Sequence, residues 1–173
     1  MKFIFRVTMI FALLLVAAIV ANVVLKQMGK GDVSVRVEQV LDVPITTVWA
    51  QLEDHANWSR FPGIDESELV KPGLLLKNGK GAERRIRSGG FEVKEEILKY
   101  RPLTMLEYRI VESTPIKLNH EYGRITLSAE LLKTRVVWES EGRVDQPLFD
   151  ALLGMVVAKK VEQSFNDILA SIR

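Results

Sequence analysis

Apolar and polar residues alternate with three different periods along this chain of 173 residues. A charge-free apolar run extends from Val7 to Leu25. Between Val33 and Val144, apolar residues recur mostly at every second position, in short runs separated by turn residues, which is typical of β-strands. After Pro147, which suits the start of a helix, apolar residues recur at steps of three and four. The pattern therefore predicts a membrane-length segment, then a sheet, then a long closing helix.

The middle of the chain predicts about seven antiparallel strands and two short helices. Val33, Val35 and Val37 alternate with polar residues and form the first strand. Pro44 begins a short amphipathic helix, and a segment rich in aromatic residues follows as a second short helix or turn. About six further strands follow between residues 64 and 144, with turn signals typical of a meander.

The sheet and the terminal helix must share one core, because a sheet with a single apolar face needs a cover of comparable length. The predicted fold class is therefore α+β, with a curved antiparallel sheet wrapped on a long C-terminal helix. Twist makes such a sheet concave, and a concave sheet beneath a helix leaves an interior gap unless large side chains fill it.

The terminal helix changes character along its length. Its second half separates one apolar face from polar faces, as is usual for a helix that covers a core. Its first half, to Val157, is apolar on nearly every side, so it either packs into its own core or faces a hydrophobic ligand. Apolar residues at helical spacing form a predicted inner stripe: Leu148, Leu152, Met155 or Val156, Val161, Phe165, Ile168 and Ile172.

The N-terminal apolar run has the length of a membrane span, about 19 residues at roughly 1.5 Å per residue. Lys2 and Arg6 precede it, so a secretory signal peptide cleaved after Ala21 is the competing interpretation. The length of the run and the lack of a clear A-x-A site favour an uncleaved transmembrane helix.

The chain is thus predicted to contain a membrane anchor at residues 1–27, a short glycine-containing tether at 28–32 and a folded domain at 33–173. Two basic residues flank each side of the anchor, so the positive-inside count is balanced. A short tail followed at once by an anchor favours a cytoplasmic N-terminus. We therefore expect a single-pass membrane protein whose domain lies on the periplasmic or extracellular side.

Composition excludes several classes of site. The chain has no cysteine, which rules out disulfides, thiolate metal sites and cysteine nucleophiles. Its formal charge is +2, but four of its basic residues flank the apolar run, so the rest of the chain carries about −2. No basic stripe interleaved with aromatic residues is present, so nucleic acid is not an expected partner.

Metal and cofactor binding are also not expected. His55 and His120 are the only two histidines, and neither has a partner at metal-ligand spacing. We expect both histidines on the surface or in loops. No glycine-rich phosphate loop or nucleophile motif is present.

One acidic residue is expected to be buried. The period of two places Glu95 on the same strand face as Phe91 and Ile97, whereas its neighbour Glu96 belongs to the solvent face. A buried carboxylate needs a cationic partner, and Arg84 on the preceding predicted strand is the candidate. A buried structural pair and an acid-base role both remain open for these residues.

Six segments occur in an order that resembles the START-like SRPBCC superfamily, particularly its polyketide cyclase/dehydrase and lipid-transport branch. They are the first strand with DVPITTVWAQLED, then NWSRFPGI, GKGAERRIR, EVKEEILKYRPLTMLEYRI, TRVVWESEG and the closing helix. The resemblance covers the chain after the tether and implies the helix-grip fold. It also implies a hydrophobic ligand held between sheet and terminal helix, in a superfamily where many members have no catalytic role. The N-terminal membrane segment is not part of the shared domain.

Three functions follow as expectations. The first is a non-catalytic, membrane-anchored protein that binds a lipid or another hydrophobic small molecule, with the bilayer as its second partner. The second is a cyclase or dehydratase acting on a polyketide-like or aromatic substrate through Glu95, Tyr108 or Arg84. The third is a structural or interaction module with a filled core. Large or polar residues on the predicted inner surface are the expected ligand contacts: Trp58, Phe61, Arg84, Phe91, Glu95, Tyr108, Trp138, Phe149, Leu152 and Met155.

Overall fold

A computed structural model describes residues 2–146 and 148–173 of the chain. Pro147, the predicted start of the terminal helix, lies outside the described residues. The described helices comprise three α-helices and one 3₁₀ helix: α1 (Lys2–Gln27), α2 (Ile45–Glu53), the 3₁₀ helix (His55–Arg60) and α3 (Asp150–Ser171).

Seven strands form one antiparallel sheet within the described residues. They are β1 (Asp32–Leu41), β2 (Glu66–Lys71), β3 (Glu83–Ser88), β4 (Phe91–Arg101), β5 (Met105–Thr114), β6 (Leu118–Glu130) and β7 (Lys133–Val144). Their order is β1-β7-β6-β5-β4-β3-β2, so consecutive strands pair except that β1 joins the sheet beside β7. The predicted α+β class, the seven strands and the closing helix are confirmed.

The core lies between one face of the sheet and α3. In β1 the valines at 33, 35 and 37 are buried while the residues between them are exposed, because successive side chains of a strand point to opposite faces. Trp138 of β7 and Phe165 of α3 stack with ring centroids 3.9 Å apart and an interplanar angle of 10°. This contact seats the second half of α3 on the sheet.

The inner face of α3 differs from the predicted stripe in its first half. Ala151, Gly154 and Val157 are buried there, whereas Met155 and Val156 are exposed. Small residues face inward because the backbone at Gly31 passes so close that a Cβ on Gly154 would come within 1.7 Å of the Gly31 carbonyl oxygen. Only small side chains fit where the Gly31 backbone approaches α3. Ala151 and Gly154 therefore face inward, while the larger Met155 and Val156 stay exposed.

The last turns of α1 cap the start of α3. The buried Asn22 accepts hydrogen bonds through Oδ1 from the backbone N–H groups of Ala151 (3.0 Å) and Leu152 (3.1 Å). Its Nδ2 donates to Asp150 Oδ1 at 2.9 Å, and Lys26 Nζ pairs with Asp150 Oδ2 at 2.7 Å. The hydrogen bond from Asn22, and to a smaller extent the one from Lys26, lowers the pKa of Asp150. We call these four residues, Asn22, Lys26, Asp150 and Ala151, the clasp.

Substituting Asn22 by alanine is expected to lower the free energy of unfolding by about 1–2 kcal/mol, because two N–H groups at the start of α3 lose the acceptor that caps them. Hydrogen exchange of the full chain in detergent should show faster exchange at Ala151 and Leu152. Thr8→Ala, in the same helix but remote from α3, is the control and should leave those amides unchanged. Equal protection in both variants would contradict the capping role.

Within the described residues, one helix is long and apolar enough to cross a membrane: α1 over Arg6–Gln27. A signal sequence near an N-terminus has the same length and composition. Nearly all of its apolar side chains before Asn22 are exposed, so they are available to lipid.

Candidate functional site

A cavity of about 270 Å³ lies between the concave face of the sheet and the middle of α3. Its walls are predominantly apolar and come from β3 to β7, the 3₁₀ helix and the α3 residues between Val157 and Ile168. Solvent-exposed lining residues mark its mouth: Gly89 after β3, Thr114 at the end of β5 and Lys160 on α3. The interior of the domain is therefore not filled by its own side chains.

Five of the ten residues that were predicted from the sequence to contact a ligand line this cavity: Trp58, Phe91, Glu95, Tyr108 and Trp138. Trp58 comes from the 3₁₀ helix, and the other four come from three strands, β4, β5 and β7, whose side chains here face the same side of the sheet. Their participation in ligand binding stays a prediction.

The other five selected residues lie elsewhere. Phe61 is buried and packs edge-on against Trp58 with ring centroids 5.6 Å apart, and Arg84 is buried against the rings of Trp58 and Tyr108. The residues at the start of α3 do not reach the cavity, because that part of the helix lies against α1 and the Gly31 backbone. This group contains Phe149, Leu152 and Met155.

Several lining residues were not selected from the sequence. Val161, Phe165 and Ile168 belong to the predicted inner stripe of α3, and that helical spacing was the signal for them, although it does not separate cavity from core. Ser140 and Ser164 also line the cavity, and no sequence pattern distinguishes them from other serines.

The wall beside the cavity contains a buried ion pair. Arg84 Nε donates to Glu95 Oε2 at 2.5 Å, and both side chains are almost completely buried. The Arg84 guanidinium lies 3.9 Å from the ring centroid of Trp58 and 5.1 Å from that of Tyr108. Its two terminal nitrogens have no hydrogen-bond partner, so these rings and Glu95 compensate the charge. The predicted partnership of Arg84 and Glu95 is confirmed.

Both histidines are buried, which contradicts the expectation that they lie on the surface or in loops. His55, in the 3₁₀ helix, is completely buried and has no partner for either ring nitrogen. Burial, and then the charge of Arg84, lower its pKa to about 2. It is therefore a neutral core residue rather than a solvent-exposed base.

His120 is held by two hydrogen bonds. Its Nδ1 accepts from the Ile110 N–H at 3.0 Å, so the proton resides on Nε2, which donates to Ser140 Oγ at 3.0 Å. Burial lowers its pKa to about 4. The ring stacks on Tyr108 with a centroid distance of 5.8 Å. His120 thus fixes Tyr108 and Ser140 of the cavity wall from behind.

Because both histidines are buried in the neutral form, we expect the free energy of unfolding to decrease when the pH is lowered from 7 to 5. An unfolded histidine has a pKa near 6.5 and binds a proton in this range, whereas the folded ones do not. Because the unfolded state binds more protons, the free energy of unfolding decreases as the pH is lowered, by up to about 1.4 kcal/mol per pH unit for each histidine. Urea unfolding of the full chain in detergent at several pH values measures the slope.

His120→Gln is the matched variant for this pH experiment. It should reduce the slope of the free energy of unfolding against pH, because one of the two buried histidines is gone. A free energy of unfolding that stays constant from pH 7 to pH 5 in the unmodified chain would contradict the neutral burial of both rings.

The hydroxyl group of Tyr108 is a polar group in the wall of the cavity. Trp138 Nε1 donates to Tyr108 Oη at 3.0 Å, so the Tyr108 O–H remains available to donate to a ligand. Burial raises the pKa of Tyr108, which keeps it protonated. Its ring occupies the space above Gly123 on the neighbouring strand, where a Cβ would come within 2.2 Å of the ring. Gly123 thus makes room for Tyr108.

The cavity wall offers a ligand one tyrosine hydroxyl and one carboxylate, Tyr108 and Glu95. Glu95 is engaged with Arg84, Tyr108 is a protonated donor, and His120 is neutral and lies behind the wall. Across residues 2–146 and 148–173, no group of three His, Cys, Asp or Glu residues is placed to hold a metal ion.

Comparison with known proteins identifies the family of this domain. The family model described as "Polyketide cyclase / dehydrase and lipid transport" matches residues 32–173, which is the whole chain from the first residue of β1 onward. No curated protein matches the chain in sequence.

Solved structures share the fold at low sequence identity. A START superfamily protein from Mycobacterium smegmatis superposes with a TM-score of 0.67 at 9% identity, covering 82% of this chain and 97% of its own. The Zhui aromatase/cyclase from Streptomyces sp. R1128 gives 0.65 at 18% identity, with 80% and 92% covered. The di-domain ARO/CYC BexL gives 0.61 at 16% identity, with 80% and 46% covered. At these identities the similarity establishes the fold alone.

Proposed function

Because the chain belongs to the polyketide cyclase/dehydrase and lipid transport family, we propose that it is a membrane-anchored protein that binds a lipid or another hydrophobic small molecule without altering it. The apolar cavity of about 270 Å³ carries this proposal, because its volume is close to the lower end of the range of ligand pockets, about 300 Å³. Transfer of about 200 Å² of apolar ligand surface from water into it would contribute about 5 kcal/mol.

The polar groups of the cavity suit a ligand with one neutral hydroxyl or carbonyl group. Tyr108 offers a hydrogen-bond donor, and Glu95 offers a carboxylate oxygen whose charge Arg84 compensates. A hydroxyl group can satisfy both, because it accepts from the tyrosine and donates to the carboxylate. A ligand carboxylate would instead meet the negative charge of Glu95.

The proposed division of the chain assigns residues 1–27 to a transmembrane anchor, 28–32 to the connection and 33–173 to the binding domain on the exported side of the membrane. The exposed apolar surface of α1 and the family match from residue 32 onward support this division. The chain contains no cysteine, so a single cysteine introduced at Leu131 would report its own accessibility. Labelling of intact cells by a membrane-impermeant maleimide is expected, and labelling only after lysis would overturn the exported placement.

A second candidate is a cyclase-type enzyme acting on an aromatic or polyketide-like substrate. It is favoured by the position of Glu95 and Tyr108 in the cavity wall and by the aromatase/cyclase folds among the structural neighbours. Glu95→Gln, measured at a temperature at which the variant stays folded, separates the two candidates once turnover and binding are both measured. An acid-base residue affects turnover far more than binding.

Intrinsic fluorescence tests the binding proposal. Trp58 and Trp138 line the cavity, whereas Trp49, the third tryptophan, packs on Tyr100 outside it. Adding a long-chain alcohol that carries a doxyl quencher to the delipidated full chain should quench the emission and saturate at one molecule per chain. Quenching that rises without saturation, or no quenching, would overturn the proposal.

A further inference from the structure

We propose that the end of the domain beside α1 lies directly on an anionic bilayer, so that the cavity exchanges its ligand at the lipid surface. This inference rests on the proposed anchoring by α1. The anchor-side surface consists of three exposed apolar residues and five exposed cations at the end of the domain that joins α1: Leu148, Met155, Val156, Lys30, Lys117, Arg143, Lys159 and Lys160.

The sheet topology places the mouth at the end where α1 joins the domain. Asp32, the first residue of β1, pairs with Arg143 near the end of β7. The Asp145 N–H donates to the Lys117 carbonyl oxygen at 2.8 Å, which brings the β5–β6 connection to the same end. Thr114 and Ile116 in that connection line the cavity. Entry of the chain and opening of the cavity therefore share one end of the sheet.

The clasp joins the last turns of α1 to the start of α3. Asn22 and Lys26 hold the start of α3 through side-chain hydrogen bonds and an ion pair. The backbone at Gly31 packs against Gly154 too closely for a Cβ at either position to fit without movement. The short connection is thus part of the packed structure rather than a free linker. If α1 spans the bilayer, the first turns of α3 lie at the level where α1 leaves it.

Exposed apolar side chains occupy that level. Leu148, Met155 and Val156 are 57%, 46% and 54% exposed, although α3 has a core available for burial. Lys159 and Lys160 follow one turn later on the exposed side of the helix. Apolar side chains next to lysines are the composition of helices that lie in a bilayer interface, where the apolar part inserts by about 5–10 Å.

The cations of this surface have no ion-pair partner among the described residues. Elsewhere most basic side chains are paired, as Arg109 is with Glu96 and Lys99 is with Glu107 on the outer face of the sheet. Asp32, Glu121 and Asp145 are exposed acids at this end, so the five cations outnumber them. A domain with a slightly negative total charge therefore concentrates unpaired positive charge beside the anchor, which complements anionic headgroups.

Site-specific fluorescence tests this orientation in the full chain. Val156→Cys labelled with an NBD fluorophore reports the anchor-side surface. Leu131→Cys, at a position that is 101% exposed in the turn between β6 and β7 at the opposite end, is the matched control. In vesicles of phosphatidylcholine and phosphatidylglycerol, the label at 156 should show blue-shifted emission and lose intensity when doxyl lipids are included. The label at 131 should show neither effect.

Three outcomes would overturn the inference. They are failure of the full chain to float with the vesicles, an unquenched label at position 156, and equal quenching at positions 156 and 131. A protein partner covering the same surface would also leave the label at 156 unquenched in these purified vesicles. Each outcome is independent of whether the delipidated chain binds ligand.

The rate of ligand uptake tests whether the cavity exchanges its ligand at an anionic lipid surface. Uptake of the doxyl alcohol from phosphatidylglycerol-containing vesicles should be faster than uptake from pure phosphatidylcholine. Lys117→Gln combined with Lys159→Gln should remove that difference. The same variant should take up the alcohol from detergent micelles as the unmodified chain does, which separates this inference from the binding proposal. Uptake rates that do not depend on vesicle charge in the unmodified chain would overturn the exchange at an anionic surface.

Discussion

Replacing Glu95 with glutamine is expected to lower the free energy of unfolding by about 3–5 kcal/mol, because it leaves the fully buried charge of Arg84 without its counter-ion. The two terminal nitrogens of Arg84 have no hydrogen-bond partner among the described residues, and Glu95 is the carboxylate that pairs with its charge. Urea unfolding of the full chain in detergent measures the loss.

Two controls define the cause of that loss. Glu96→Gln alters the next residue of β4, whose ion pair with Arg109 is solvent-exposed, and should change the free energy of unfolding by less than about 1 kcal/mol. Replacing the pair together, as Arg84→Met with Glu95→Leu, should recover most of the stability, because no unpaired charge remains. A double variant as unstable as Glu95→Gln would show that packing, rather than charge, dominates at this site.

Placing a tryptophan at Val161 is expected to weaken binding of the hydrophobic ligand by at least about tenfold. Val161 lines the cavity from α3, and the larger side chain would occupy space that the ligand needs. A ligand that loses about 60 Å² of buried apolar contact loses about 1.5 kcal/mol, which corresponds to that factor. Titration of the delipidated chain with the quenching alcohol measures the change.

Val156→Trp is the matched control, because the same substitution then lies on the exposed side of the same helix. It should leave the affinity for the ligand unchanged. Both variants should fold, since Val161 is only partly buried and lines the cavity, and Val156 is exposed. Equal affinity in Val161→Trp and Val156→Trp would mean that the ligand binds somewhere other than the cavity.

The sheet could be predicted from the sequence because a strand exposes alternate residues to alternate faces. The same period of two located Glu95 beside Arg84, and the pairing of β3 with β4 brings them together. The burial of His120 could not be predicted from this period, for a physical reason. The register of β6 shifts between His120 and Tyr122, so His120 is buried together with Gly123 although the two positions have opposite parity. A bulge cannot be located from apolar periodicity alone.

The start of α3 could not be predicted for a different reason. Where nearly every residue is apolar, helical spacing does not choose a face, and the choice is made by a neighbour. The Gly31 backbone is that neighbour, and its close approach turns Ala151 and Gly154 inward. The cavity wall therefore does not include three residues of this region that were predicted as ligand contacts: Phe149, Leu152 and Met155.

Asn22 shows the same limit. In the sequence it only dilutes an apolar run, but in the structure it caps a helix that begins 128 residues later. No local pattern reveals a contact between positions so far apart. The polar residue in the apolar segment was nevertheless the visible sign that this turn of α1 has a protein partner.

The occupancy of the cavity is the central claim, and native mass analysis of the full chain purified from its own membranes tests it most directly. We expect the unmodified chain and Val156→Trp each to carry one hydrophobic molecule, and Val161→Trp to be recovered at the mass of the polypeptide. An unmodified chain that is recovered empty, and that stays empty after exposure to native lipid, would contradict the account.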